Sequence, residues 1–165
     1  MKFRSGFFII IFFLLSCSEK YDNSNLKIFK YNESNGVSTL DPAFAKDKAT
    51  IWVTSQIFNS LVKMNEELEV IPSISSNWKI SEDGLVYTFF LRKDVYFHDH
   101  KFFENGKGRR VVASDFVYSF DRLLSSKLAS PGSWVFNNVS SYSAINDTTL
   151  QIYLKHSFPP FLSLL

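Results

Sequence analysis

His98 and His100, one residue apart, are the pair in this sequence whose spacing suits a metal ion. Residues i and i+2 of an extended strand share a face, so both imidazoles would reach one zinc or nickel ion if Asp99 or a distant carboxylate joined them. A structural site wants four ligands, and no further histidine lies nearby, since His156 stands alone. No metal and no other cofactor is therefore expected. Lys107-Gly108-Arg109-Arg110 has the glycine and basic residues of a phosphate loop or a nucleic-acid patch. No Gly-Lys-Ser or Gly-Lys-Thr follows a strand, however, and a basic cluster alone is non-specific, so a solvated loop is expected. Nucleophilic catalysis lacks its constellation too, because the sequence holds no Gly-x-Ser-x-Gly and a single cysteine. No catalytic residue is assigned, and the chain is not expected to be an enzyme.

That cysteine, Cys17, follows a basic start with Lys2 and Arg4, the apolar run Phe7-Phe8-Ile9-Ile10-Ile11-Phe12-Phe13-Leu14-Leu15, and the small residue Ser16. This order predicts a secretory signal peptide over residues 1–16. The run is far short of the roughly 20 apolar residues that a membrane-spanning helix needs. Leu14-Leu15-Ser16-Cys17 resembles the bacterial lipobox, whose cysteine becomes the lipidated first residue of the mature protein. One cysteine also excludes an internal disulfide, and a thioether-linked lipid accounts for a lone thiol in an exported protein. Several acyl chains, at about 0.8 kcal/mol per buried methylene, would give a lasting anchor on a membrane rather than a span across it. The polar residues 18–25 read as the tether between lipid and fold.

The elements beyond the tether follow from apolar spacing. The chain has 165 residues, 45% hydrophobic and 21% charged, with net charge +2, which is a globular balance too near neutrality to point to nucleic acid. Residues 26–31 read as a first strand. Ala49, Val53 and Ile57, joined by Trp52 and Phe58, predict an amphipathic helix over residues 48–59 with Asp47 as its N-cap. Residues 61–64 and 68–71 flank a short turn and predict a hairpin, and Asp83-Gly84 predicts a second between residues 78–80 and 85–91. Leu85, Tyr87, Phe89 and Leu91 share one face of the return strand. Phe116, Val117, Phe120, Leu123 and Leu124 make one stripe of a helix opened by Ser114-Asp115, and Leu150, Ile152 and Leu154 alternate as a half-buried strand. The predicted core is Trp78, Tyr87, Phe89, Leu91, Phe116 and Phe120. Tyr31, Trp52, Trp78, Tyr87, Phe89 and Trp134 are candidates for a ligand cleft, but aromatics at such spacing belong more often to the core. The chain closes on a nascent helix, Phe161-Leu162-Ser163-Leu164-Leu165, whose apolar side chains need a partner surface, so the protein is expected to be cut short.

The order of these segments resembles the family 5 extracellular solute-binding proteins of oligopeptide, dipeptide and nickel ABC importers. The family's Leu-Asp-Pro stands as Thr39-Leu40-Asp41-Pro42, and its helix ending as Gln56-Ile57-Phe58-Asn59-Ser60-Leu61. Its Val-Pro to Trp stretch is Ile71-Pro72-Ser73-Ile74-Ser75-Ser76-Asn77-Trp78. The most specific block is Ser81-Glu82-Asp83-Gly84-Leu85, continuing through Tyr87-Thr88-Phe89-Phe90-Leu91-Arg92 to Phe97-His98-Asp99. Ala113-Ser114-Asp115-Phe116-Val117-Tyr118-Ser119 matches the family's next helix. Departures are His100 where a glycine is usual, a longer loop over residues 101–110, and Val112 where a threonine commonly caps the helix, which leaves the capping to Asp115 or Ser114.

The resemblance implies an α+β fold, the first-lobe portion and accessory α/β domain of a periplasmic-binding-protein type II-like fold, truncated before the second lobe. Residues 26–46 would be first-lobe strand and loop, and residues 47–165 the accessory domain returning to the first lobe. The implied function is capture of a peptide or other small solute for ABC permease and ATPase subunits, with the lipid anchor on Cys17 holding the protein to a membrane of the bacterial cell envelope. Peptide in such proteins commonly pairs with backbone near the first strand, so Thr39 and Leu40 are the expected ligand contacts, and His98-Asp99 belongs to a structural turn. The alternative is a non-binding remnant, since half a cleft is expected to hold peptide weakly or not at all.

Overall fold

Two segments of strictly alternating burial, Val86–Leu91 (β4) and Thr149–Leu154 (β6), pair antiparallel at the centre of a four-stranded sheet. Alternation puts every second side chain on one face. Tyr87, Phe89 and Leu91 from one strand and Leu150, Ile152 and Leu154 from the other are all buried, with Tyr87 opposite Ile152 and Phe89 opposite Leu150. The outer strands are Ser75–Ile80 (β3) beside β4 and Val139–Asn146 (β5) beside β6. The turn from β3 to β4 is the expected one, with Gly84 at φ +70° and its N–H donating to the Ser81 carbonyl at 2.9 Å. A separate two-stranded hairpin pairs Val62–Met64 (β1) with Val70–Pro72 (β2).

A computed structural model describes residues 30–34 and 36–165. The expected signal peptide, Cys17 and the tether lie outside the described residues, as do residues 26–29 of the expected first strand, whose last residues Lys30 and Tyr31 are in no strand. Every helix and strand among the described residues belongs to one compact unit within Glu33–Leu165.

Among the described residues two α-helices accompany this framework, Lys48–Ile57 (α1) and Ala113–Leu124 (α2). Phe116, Val117, Phe120 and Leu123 of α2 pack on the core cluster as expected, while Leu124 is exposed. The Phe120 ring lies 4.7 Å from that of Phe136 and 5.2 Å from that of Tyr142, which ties helix, connecting loop and β5 together. The start of α2 settles the missing threonine: the Asp115 carboxylate accepts from the Val112 N–H at 2.9 Å and is gripped from outside by Arg109 at 2.8 Å. Asp115 therefore closes the helix end from inside the first turn.

Three expectations need correction. Helix α1 does not bury the stripe Ala49, Val53, Ile57: Ala49 is enclosed, but Ile57, Trp52 and Phe58 are exposed and the other enclosed positions are Thr50 and Thr54. Their hydroxyls are returned locally, Thr50 to the Asp47 carboxylate at 3.1 Å and Thr54 to the Thr50 carbonyl at 2.8 Å, so each buries its methyl without an orphan polar group. Strand β5 was not foreseen at all. His98 and His100 do not share a strand face, because residues 97–100 carry no strand. The closing segment, expected as a nascent α-helix, forms a 3-10 helix, Pro159–Leu164, with Phe161 fully buried in the core and Leu164 exposed.

Candidate functional site

Thr39 and Leu40 occupy an irregular stretch between two anchored ends. Before them, the Ser38 hydroxyl meets that of Thr50 at 3.2 Å in the first turn of α1, where Thr50 N–H also donates to the capping Asp47 carboxylate at 2.9 Å. After them, Asp41 caps the short 3-10 helix Pro42–Phe44 by accepting from the Ala43 N–H at 3.1 Å. Pro42, with φ already set and no N–H to satisfy, suits the first position of such a turn. The Thr39 hydroxyl accepts from the Asp41 N–H at 3.0 Å, which folds the side chain back on its own segment.

The Asp41 carboxylate also receives both guanidinium nitrogens of Arg122, from the last turn of α2, one of them at 2.7 Å. Two residues on, the Ala43 carbonyl accepts from the buried Ser130 hydroxyl at 2.6 Å. The Arg122 fork holds the Asp41 carboxyl below its ordinary value, against the opposing pull of desolvation. A depressed carboxylate adds stability above its unfolded value of about 3.9 and loses it as the pH falls through the lowered folded value. Asp41→Asn is accordingly expected to cost about 1 kcal/mol at pH 7, a figure kept small because the pair is one-third exposed. Denaturant melts should show that gap closing below the usual aspartate range, and a gap that persists there would remove the ion pair as its cause.

Between the anchors the chain is open. Leu40 is 54% exposed, and among the described residues nothing bonds to the backbone N–H or C=O of Thr39 or Leu40. A shallow depression of about 330 Å³ on one side is lined by Gly36, Val37, Ser38, Asp47, Lys48 and Ala49. A groove of about 430 Å³ on the other runs past Pro42, Ala45, Ile51, Phe58, Phe116 and Phe120. Thr39 and Leu40 line neither and connect Ser38 of the first to Pro42 of the second. Two unspent backbone units in such a place can pair with an extended chain.

The other sequence candidates are elsewhere. Asp99 accepts from Lys107 Nζ at 2.7 Å and from the Gly108 N–H at 3.0 Å, so its carboxylate organises the loop. Lys107 holds the Asp99 carboxyl below its usual range. Gly108 is required there, since a Cβ would fall 1.8 Å from the Phe97 carbonyl oxygen. His100 accepts from the Phe102 N–H at 3.3 Å and sets its ring edge-on to Phe102. The turn falls at Asn105 and Gly106, with φ of 53° and 71°, which removes the demand for a glycine at position 100. Among the described residues no three His, Cys, Asp or Glu side chains gather as a metal site. Of the candidate cleft aromatics, Tyr87 and Phe89 are core, whereas Tyr31, Trp52 and Trp134 are exposed. Sequence reasoning missed Arg122 and Ser130, which reach the site from 81 and 87 residues away.

Comparison with known proteins places the chain among relatives. The profile described as bacterial extracellular solute-binding proteins, family 5, middle, matches residues 69–165. The periplasmic murein peptide-binding protein MppA of Escherichia coli is 33% identical over 77% of this chain and 25% of its own length. The heme-binding protein A of Haemophilus influenzae is 32% identical over 86% of this chain and 28% of its own. The structure of the periplasmic binding protein DppA of Helicobacter pylori with peptide STSA superposes at TM-score 0.67, with 33% identity over 77% of this chain and 27% of that one. The chain thus spans about a quarter of the length of the relatives it matches, and its mixed helices and sheet are part of the periplasmic binding protein type II fold.

Proposed function

The chain belongs to the bacterial extracellular solute-binding proteins, family 5, and from that membership we propose that it captures peptides or similar small solutes for an ABC permease and its ATPase subunits. The open backbone at Thr39 and Leu40 is the observation that carries the peptide reading, because an extended peptide offers the matching donors and acceptors in every residue. Two relatives are named for peptide and one for heme, so kinship alone leaves the solute open, and the open backbone is what supports peptide. In this reading residues 26–46 belong to the first lobe and residues 47–165 to the accessory domain. Cys17 carries the lipid that keeps the protein at the outer face of a bacterial membrane, and residues 18–25 give it reach.

Calorimetry of the full gene product against a random peptide pool tests the reading. Saturable binding in the micromolar range or tighter is expected. Peptides methylated on backbone nitrogen should bind about 5- to 150-fold more weakly, since two lost hydrogen bonds are worth about 0.5–1.5 kcal/mol each. Binding of heme or an amino acid with no binding of peptide would discard the peptide assignment. In cell fractionation, Cys17→Ala should release the protein from the membrane fraction, and unchanged retention would discard the lipid anchor.

A further inference from the structure

We infer that Arg122 and Ser130 are positioning residues for solute capture: they fix the turn after Leu40 so that the open backbone of Thr39 and Leu40 is presented ready for an extended peptide. The inference rests on the reading of those two residues proposed above. Three polar links hold a stretch of six residues, the Ser38–Thr50 hydroxyl pair on one side and the Asp41–Arg122 fork and Ala43–Ser130 bond on the other. Each partner belongs to the framework, in the first turn of α1, the last turn of α2, and, at the buried Ser130, the bend after α2.

The stretch itself supplies little reason for such fastening in terms of stability. Of residues 38–43 only Ala43 is buried, and Leu40 stands in solvent. An ion pair one-third exposed contributes little to folding, but a planar guanidinium engaged at both nitrogens sets distance and angle together. Order made before binding is order that the ligand does not have to impose, which raises affinity without a new contact. The bend that carries Ser130 supports the same view. Ala129, immediately before it, sits at φ +46°, a region that costs an alanine energy and persists only where its surroundings enforce it. The Ser130 oxygen is itself fixed by accepting from the Gly132 N–H at 3.2 Å while its hydroxyl points at Ala43.

Arg122→Met and Ser130→Ala in the full gene product, each titrated with a peptide and with the same peptide N-methylated on its backbone, test the inference. Each variant is expected to bind the peptide about tenfold more weakly, with Arg122→Lys intermediate because it keeps the charge without the fork. The penalty for N-methylation should shrink in the variants, since a displaced strip no longer makes the bond that methylation removes. A purely structural role would instead leave that penalty unchanged, and the cycle separates the two. Unaltered affinity in both variants, or a loss with the methylation penalty intact, would overturn the inference while leaving the capture reading standing. A parent protein that binds no peptide would overturn the reading itself, and this inference with it.

Discussion

Phe89→Ala should destabilise the protein by about 3–5 kcal/mol, a large share of the 5–15 kcal/mol by which domains of this kind are stable. Phe89 is fully buried, faces Trp78 on one neighbouring strand and Leu150 on the other, and so has no solvent edge into which the sheet can relax. Truncation removes the transfer energy of the ring and leaves a cavity between central strands whose register is fixed on both sides. Ile145→Ala is the control, because Ile145 is 54% exposed on the outer strand β5 and its loss should stay within about 0.5 kcal/mol. Urea unfolding of both variants measures the difference, with the midpoint moving and the slope preserved. A Phe89→Ala midpoint within error of the Ile145→Ala midpoint would mean that the centre of the sheet is not where the stability lies.

Much of this centre was legible because burial there is one-sided. Tyr87, Phe89, Leu91, Leu150, Ile152 and Leu154 alternate strictly, and Asp83-Gly84 announces the turn with a residue that accepts positive φ. Strand β5 was invisible for the opposite reason. In its sequence Val-Ser-Ser-Tyr-Ser-Ala-Ile-Asn only Val139 is buried, two register shifts break any period, and it is a strand because β6 offers it backbone partners. Helix α1 was legible in extent but not in facing, since Thr50 and Thr54 turn inward with their hydroxyls satisfied by neighbours while Trp52 and Ile57 turn out. For the proposed site, resemblance of motif suggested Thr39 and Leu40, and no local pattern in the sequence pointed to Arg122 or Ser130. Such contacts are properties of the folded path, and a single sequence carries no periodic trace of them.

Phe161→Ala should cost about as much as Phe89→Ala, about 3–5 kcal/mol, although composition alone would place Phe161 among apolar residues waiting for a partner. Pro159 and Pro160 set the φ of the turn before it, and the Phe161 N–H closes that turn on the Phe158 carbonyl at 2.9 Å. The ring that emerges is fully buried and meets Tyr87 edge-on, with centroids 5.2 Å apart, a geometry worth about 0.5–1.5 kcal/mol beyond the area it covers. Tyr87 is itself drawn over the same turn, its hydroxyl lying 3.5 Å from the Phe158 carbonyl, so the last helical turn and the central strand share one core. Leu164, three residues on and 37% exposed, makes no comparable burial, and Leu164→Ala should stay below about 1 kcal/mol. The two variants read the same segment at two depths. Equal denaturation midpoints would show the turn to be loosely laid on the surface, whereas a gap of several kcal/mol would show that the segment closes the core.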